Sequence, residues 1–201
     1  MTKIKLCGMK RAADIQAVNR LKPDYIGFVF AAKSKRCVTP EQAAGLKAIL
    51  DPDISAVGVF VNEAPEAVAG LLNSGVIDIA QLHGSEDEEY LAELGKLTNK
   101  PLIRAFRIRT GEDLDAAEKS PADFVLLDAG AGDGKTFDWD LLENFSRPCF
   151  LAGGLDPENV REAIERCRPY AVDVSSGIET NGFKDEAKMQ AFVDNVRKTE
   201  P

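Results

Sequence analysis

Cys149-Phe150-Leu151-Ala152-Gly153-Gly154 and Ala171-Val172-Asp173-Val174-Ser175-Ser176-Gly177 frame the stretch that decides the fold. Each is a short apolar run closed by glycine or serine, and between them Pro157–Cys167 carries apolar residues at helical spacing. Strand-helix alternation of this kind implies parallel strands joined by right-handed crossovers.

The same alternation recurs outward in both directions. Strand candidates are Ile4–Cys7, Tyr25–Phe30, Ala56–Val61, Ile77–Leu82, Leu102–Phe106, Phe124–Asp128, Cys149–Ala152 and Ala171–Val174. Amphipathic stretches between them include Glu41–Leu50, Glu66–Leu72, Glu86–Leu97 and Pro157–Cys167, with Thr39, Ser85 and Asp156 as expected caps. No Pro/Gly/Ser-rich linker interrupts the series, so residues 1–201 are expected to form one domain. At about 25 residues per unit, the α/β class expected is a compact, parallel, eight-stranded (β/α)8 TIM barrel.

Lys and Arg total 25 against 33 Asp and Glu, a net charge of −8, which argues against a nucleic-acid partner. No apolar run is long enough to cross a bilayer, and the first residues lack a signal-peptide pattern, so a cytoplasmic protein is expected. The four cysteines are widely spaced and there is one histidine, which suggests neither a metal site nor a disulfide framework.

In a barrel the chemistry sits where strands end. Those ends read Cys7-Gly8, the loop from Phe30 to Arg36, Asn62, His83-Gly84, Arg107, Asp128, Gly153-Gly154 and Ser175-Ser176-Gly177. Gly153, Gly154, Ser175, Ser176 and Gly177 suggest a phosphate cup, because backbone N–H groups need glycine to approach an anion closely. Gly153-Gly154 alone reads more readily as a turn before Asp156-Pro157; the two clusters together favour phosphate. Asp128 shares a face with Phe124 and Leu126, so it points into the mouth as a proton donor, or else caps the following turn. Cys7 shares parity with Lys5, whose ammonium should draw the thiol down from about 8.5 towards neutrality and make it a base. A packed core thiol is the plainer alternative. Arg36 has the reach to hold a carboxylate, unless its basic loop is merely solvated. His83 suits either substrate contact or a structural hydrogen bond.

Gly130 to Thr136 nearly matches a nucleotide-binding P-loop, but Ala129 stands where the first glycine is required and Asp133 would face the phosphates. Nucleotide binding is the weaker reading.

Taken in order, Lys5-Leu6-Cys7-Gly8, Gly27-Phe28-Val29-Phe30, Ser34-Lys35-Arg36, Gln81-Leu82-His83-Gly84, Leu127-Asp128, Gly134-Lys135-Thr136-Phe137-Asp138-Trp139, Leu151-Ala152-Gly153-Gly154-Leu155 and Val172–Glu179 resemble the phosphoribosylanthranilate isomerases. The likeness runs nearly end to end. It implies an Amadori rearrangement in tryptophan biosynthesis, converting N-(5′-phosphoribosyl)anthranilate into 1-(2-carboxyphenylamino)-1-deoxyribulose 5-phosphate without cofactor or metal. On the matching positions, Asp128 would be the acid and Cys7 the base. Arg36 would hold the anthranilate carboxylate, Gly154, Ser175, Ser176 and Gly177 the phosphate, and Asp173 the anthranilate amine. Departures lie at Gly132-Asp133-Gly134, Lys10 and Asn181; none removes a proposed catalytic group. The resemblance leaves monomer or homodimer open. A related isomerase of histidine biosynthesis, which uses two aspartates, is disfavoured by Cys7. A barrel that only binds sugar phosphates would not require both an inward thiol and an inward carboxylate.

Overall fold

The structure is a computed structural model that describes residues 1–128, 139–142 and 145–199. Eight parallel strands close into a barrel in sequential order: β1 (Lys3–Cys7), β2 (Tyr25–Val29), β3 (Ser55–Phe60), β4 (Ile79–Leu82), β5 (Leu102–Arg107), β6 (Phe124–Asp128), β7 (Cys149–Ala152) and β8 (Ala171–Val174). The expected (β/α)8 barrel is therefore present. Around it run α1 (Ala12–Leu21), α2 (Pro40–Lys47), α3 (Pro65–Asn73), α4 (Glu88–Leu97), α5 (Gly111–Lys119), α6 (Val160–Cys167) and α7 (Glu186–Lys198). Between β6 and β7 the described residues contain only the 3-10 turn Trp139–Leu142. The P-loop-like segment, with Gly134, Lys135 and Thr136, lies outside the described residues.

Three local expectations need correction. Thr39 does cap α2, accepting from the Gln42 amide while Gln42 returns a bond to the Thr39 amide. Ser85, however, caps nothing: its N–H and hydroxyl both donate to Asn62 Oδ1, and Asp87 caps α4. The helix starts late because Glu86 turns inward, where its carboxylate accepts from the Asn62 amide at 2.6 Å and the Gly84 amide at 2.7 Å. Asp156 accepts from the amides of Glu158 and Asn159 in a turn that precedes α6, so regular helix begins at Val160 rather than Pro157. At β4, Ile77 and Asp78 fall before the strand; Asp78 is drawn to the Ala56 amide and Lys47.

Strand parity sorts the apolar residues into two layers. Ile4, Leu6, Ile26, Phe28, Leu82, Leu127 and Leu151 face outward and pack under the helices. Tyr25, Val57, Ile79, Ile103, Leu126 and Phe150 face inward. The inner floor is aromatic: the Phe150 ring lies 5.4 Å from Tyr25, 5.9 Å from Phe124 and 5.6 Å from Tyr170, and the two tyrosine hydroxyls meet at 2.9 Å. These rings plug one end and leave the C-terminal strand ends as the open mouth.

Between floor and mouth lies Lys5, fully buried, with Nζ 2.8 Å from Asp173 Oδ2 across the β1–β8 seam, where the two residues are register partners. A buried ammonium persists only when paired, so removing it leaves a buried carboxylate alone. We expect Lys5→Met to cost about 3–5 kcal/mol of unfolding free energy in urea titrations; a loss below about 1 kcal/mol would show that the pair does not hold the seam.

Candidate active site

Six of the eight strands and the loop after β2 contribute to one cavity of about 280 Å³ at the barrel mouth, lined among others by Cys7, Arg36, Gln81, His83, Asp128, Gly153, Gly154, Asp173, Ser175 and Ser176. Of the residues given a site role in the sequence, all but one thus meet in one place. The exception is Gly177, which is not in the lining. A Cβ there would lie 2.1 Å from the Leu155 carbonyl oxygen, so glycine at 177 lets the loops after β7 and β8 close together. A roomier cleft of about 350 Å³ opens at the opposite end of β7 and β8, by Arg147, Cys149 and Tyr170, away from the polar strand ends.

Cys7 ends β1 beside Gly27, its register partner on β2. Any Cβ at 27 would stand 2.5 Å from the Cys7 sulfur, so the thiol owes its place at the mouth to this glycine. Burial pushes the thiol up, and although the neighbouring Lys5 ammonium pulls the other way, the net direction is upward. That reverses the expected fall towards neutrality. Lys5 itself stays above its ordinary value: burial would depress it, but Asp173 and Cys7 together outweigh that effect. The ammonium is shared with Asp173 rather than committed to the thiol.

Across the mouth, Asp128 ends β6 with Oδ2 3.1 Å from His83 Nε2, and His83 Nδ1 lies 2.9 Å from Gln81 Nε2. Gln81 and His83 share a face of β4 by parity, a signal available in the sequence but not used there. Two buried acceptors on cavity residues, Gln81 Oε1 and Asp173 Oδ1, have no hydrogen-bond partner among the described residues. Unmet buried acceptors in a cleft suit a ligand bearing N–H or O–H groups.

Arg36 reaches the cavity from the loop after β2, and Glu179 grips one edge of its guanidinium, with Nε–Oε1 at 2.6 Å and Nη2–Oε2 at 2.9 Å. The Nη1 side of the fork is left for a second anion. Glu179 starts a small hairpin after β8, made of β9 (Glu179–Thr180) and β10 (Phe183–Lys184). Lys184 binds Glu179 at 2.9 Å and donates to the Ser175 carbonyl at 2.8 Å. The arm that carries Arg36 and the loop that carries Ser175 are therefore one network. Neither Glu179 nor Lys184 was singled out, because no local pattern announces a partner 143 residues away.

Gly153 and Gly154 have φ of +94° and +68°, values that L side chains rarely adopt. The turn after β7 thus depends on these glycines, and it lines the same cavity as Ser175 and Ser176. Among the described residues no group of His, Cys, Asp or Glu is arranged to hold a metal ion.

The family model described as N-(5'phosphoribosyl)anthranilate (PRA) isomerase matches residues 4–195. The chain belongs to this family. It is 45% identical to N-(5'-phosphoribosyl)anthranilate isomerase of Endomicrobium trichonymphae over 202 residues, covering 98% of this chain and 99% of the relative. The crystal structure of phosphoribosyl anthranilate isomerase from Thermotoga maritima superposes with a TM-score of 0.91 at 36% identity, covering 98% of this chain and all of that one. A phosphoribosyl anthranilate isomerase in complex with reduced 1-(o-carboxyphenylamino)-1-deoxyribulose 5-phosphate gives a TM-score of 0.88 at 36% identity, with coverage of 98% and 100%.

Burial opposes ionisation of Glu179, but hydrogen bonds from Arg36 and Lys184 overcome it and hold the carboxyl at about 2. A carboxyl depressed in the folded state stabilises above its unfolded value, and that contribution is lost as pH falls towards about 2. In acid titrations followed by circular dichroism, Glu179→Gln should lower stability at neutral pH and flatten its decline between about pH 4 and about 2. An unchanged acid profile would show that the network does not contribute to folding.

Proposed function

We propose that this chain, an enzyme of the PRA isomerase family, converts N-(5′-phosphoribosyl)anthranilate into 1-(2-carboxyphenylamino)-1-deoxyribulose 5-phosphate. The observation that carries the reading is the placing of Cys7 and Asp128 on strands from opposite parts of the barrel, both lining one cavity that also includes the Gly153-Gly154 turn and Ser175-Ser176. A relative of the same fold is described in complex with the reduced product of this reaction, which supports the substrate class.

In this reading the 5′-phosphate seats on the backbone of Gly153 and Gly154, on Ser175 and Ser176, and on the loop that Gly177 allows to close. Arg36 takes the anthranilate carboxylate on the edge that Glu179 does not occupy. Asp173 Oδ1, unpartnered among the described residues, accepts from the anthranilate amine. Asp128 protonates the furanose oxygen, the C1–O bond breaks, and the amine lone pair forms a C=N⁺ bond. Cys7 then removes the C2 proton, and the C2–H electrons neutralise the iminium to give an enolamine. Tautomerisation adds a proton at C1 and removes one from the C2 hydroxyl, so the product is an isomer with no net proton change.

The raised thiol fits this order of events. Burial favours the protonated Cys7 in the resting site, so the thiol gives its proton to water in the cavity before it can act as base. The iminium cation generated by ring opening favours the resulting thiolate, which then takes the C2 proton. Asp128 therefore acts before Cys7. The histidine-pathway alternative is not favoured, since the family match spans nearly the whole chain and a cysteine holds the base position. We further propose that residues 1–201 act as a single catalytic barrel in the cytoplasm; no described helix is long and apolar enough to cross a membrane.

Loss of phosphoribosylanthranilate fluorescence measures turnover directly. Asp128→Asn and Cys7→Ala should each lower kcat by about 10²–10⁴-fold or more with unfolding midpoints close to the parent. A fully active, folded variant at either position would overturn that residue's role.

A further inference from the structure

We propose that Gln81 is a positioning residue for the isomerisation: its buried amide holds His83 with the ring proton on Nε2, and His83 in turn fixes the carboxyl of Asp128. The proposal rests on the reading of Asp128 as the acid.

Gln81 is 1% exposed on β4, and His83, one residue past the strand's end, keeps the same inward parity. Its Nε2 meets His83 Nδ1 at 2.9 Å. An amide NH2 only donates, so Nδ1 is the acceptor and carries no proton; the neutral ring must then be protonated at Nε2. That nitrogen lies 3.1 Å from Asp128 Oδ2. The reversed amide is disfavoured, because it would bury two unmet N–H donors where the present orientation leaves one unmet carbonyl oxygen. That oxygen belongs to a residue lining the cavity, where a substrate hydroxyl can satisfy it.

A fixed donor on Oδ2 has two effects on an acid. It sets the rotation of the carboxyl relative to the cavity, and it stabilises the carboxylate that remains once the proton has moved to the ring oxygen. A ring with the opposite tautomer would present a lone pair to Asp128 and do neither. Other charged or titratable groups face the pair: Cys7, Arg36 and Asp173 across the cavity, and Arg107, Arg109 and Asp113 in the adjoining cleft. None of them lies between Gln81 and Nδ1, so the tautomer is set by Gln81.

His83 is the only histidine in the chain, so ¹⁵N-histidine labelling gives a single pair of ring-nitrogen signals. In the unsubstituted protein with a neutral ring, we expect a protonated Nε2 and a bare Nδ1. Gln81→Glu, which accepts instead of donating, should move the proton to Nδ1, and Gln81→Met should leave a mixture. Both should lower kcat about 10- to 100-fold while KM stays within about threefold, the pattern of a lost transition-state contact rather than lost binding.

A proton on Nδ1 in the unsubstituted protein would overturn the proposal whether or not the variants fold. So would folded variants with unchanged kcat, or with a raised KM alone. If the acid assignment itself is wrong, Asp128→Asn stays active while the His83 signals remain as stated, so the two failures are distinguishable.

Discussion

The ion pair of Lys5 and Asp173 is the constraint on which the rest of the barrel mouth depends. It joins β1 to β8, the seam at which the sheet closes on itself, and it sits between the aromatic floor and the polar rim. Two residues further towards the mouth come Cys7 on β1 and Ser175 after β8, and the Ser175 hydroxyl donates to the Cys7 carbonyl at 3.2 Å. A shift of register at this seam would move Cys7, Ser175 and the Lys5 ammonium together, because side chains on a strand alternate strictly between faces.

The mouth divides into a rigid half and a networked half. Cys7, Gln81, His83, Asp128 and Asp173 stand on or next to strands, where backbone pairing fixes them. Arg36 comes from a loop and depends on Glu179, which a short hairpin after β8 supplies, and Lys184 ties that hairpin to Ser175. Arg11 also donates to the Lys184 carbonyl at 2.9 Å, and its guanidinium lies 4.8 Å from the Phe183 ring centre, so the loop after β1 joins the same assembly. In the proposed reaction the rigid half performs proton transfers while the networked half grips the two anionic ends of the substrate. Dividing the labour this way suits chemistry that needs sub-ångström placement for protons but tolerates adjustment at charged contacts.

Much of this was legible in the sequence because it depends on period-two alternation. The eight strands, their inward residues and the ring of polar strand ends follow from apolar patterning, and the structure moves strand limits by only one or two residues. What depends on tertiary contact was not legible. Ser85 is a good cap by type, yet Asn62 claims it and Asp87 takes its place. The Lys5-to-Cys7 spacing correctly put an ammonium near the thiol, but not the burial that outweighs it or the carboxylate that shares it. Arg36 carried a visible charge, whereas its grip by Glu179 required the hairpin after β8 to fold back over the mouth.

The central claim is that Cys7 removes the C2 proton after ring opening. It is tested most directly by the single-turnover rate with substrate deuterated at C2, measured for the unsubstituted protein and for Cys7→Ser. A primary isotope effect is expected in the unsubstituted protein, and a slower reaction with an isotope effect at least as large in Cys7→Ser, where a weaker base makes proton removal limiting. An equal rate and equal isotope effect in the two proteins would mean that another group takes the proton.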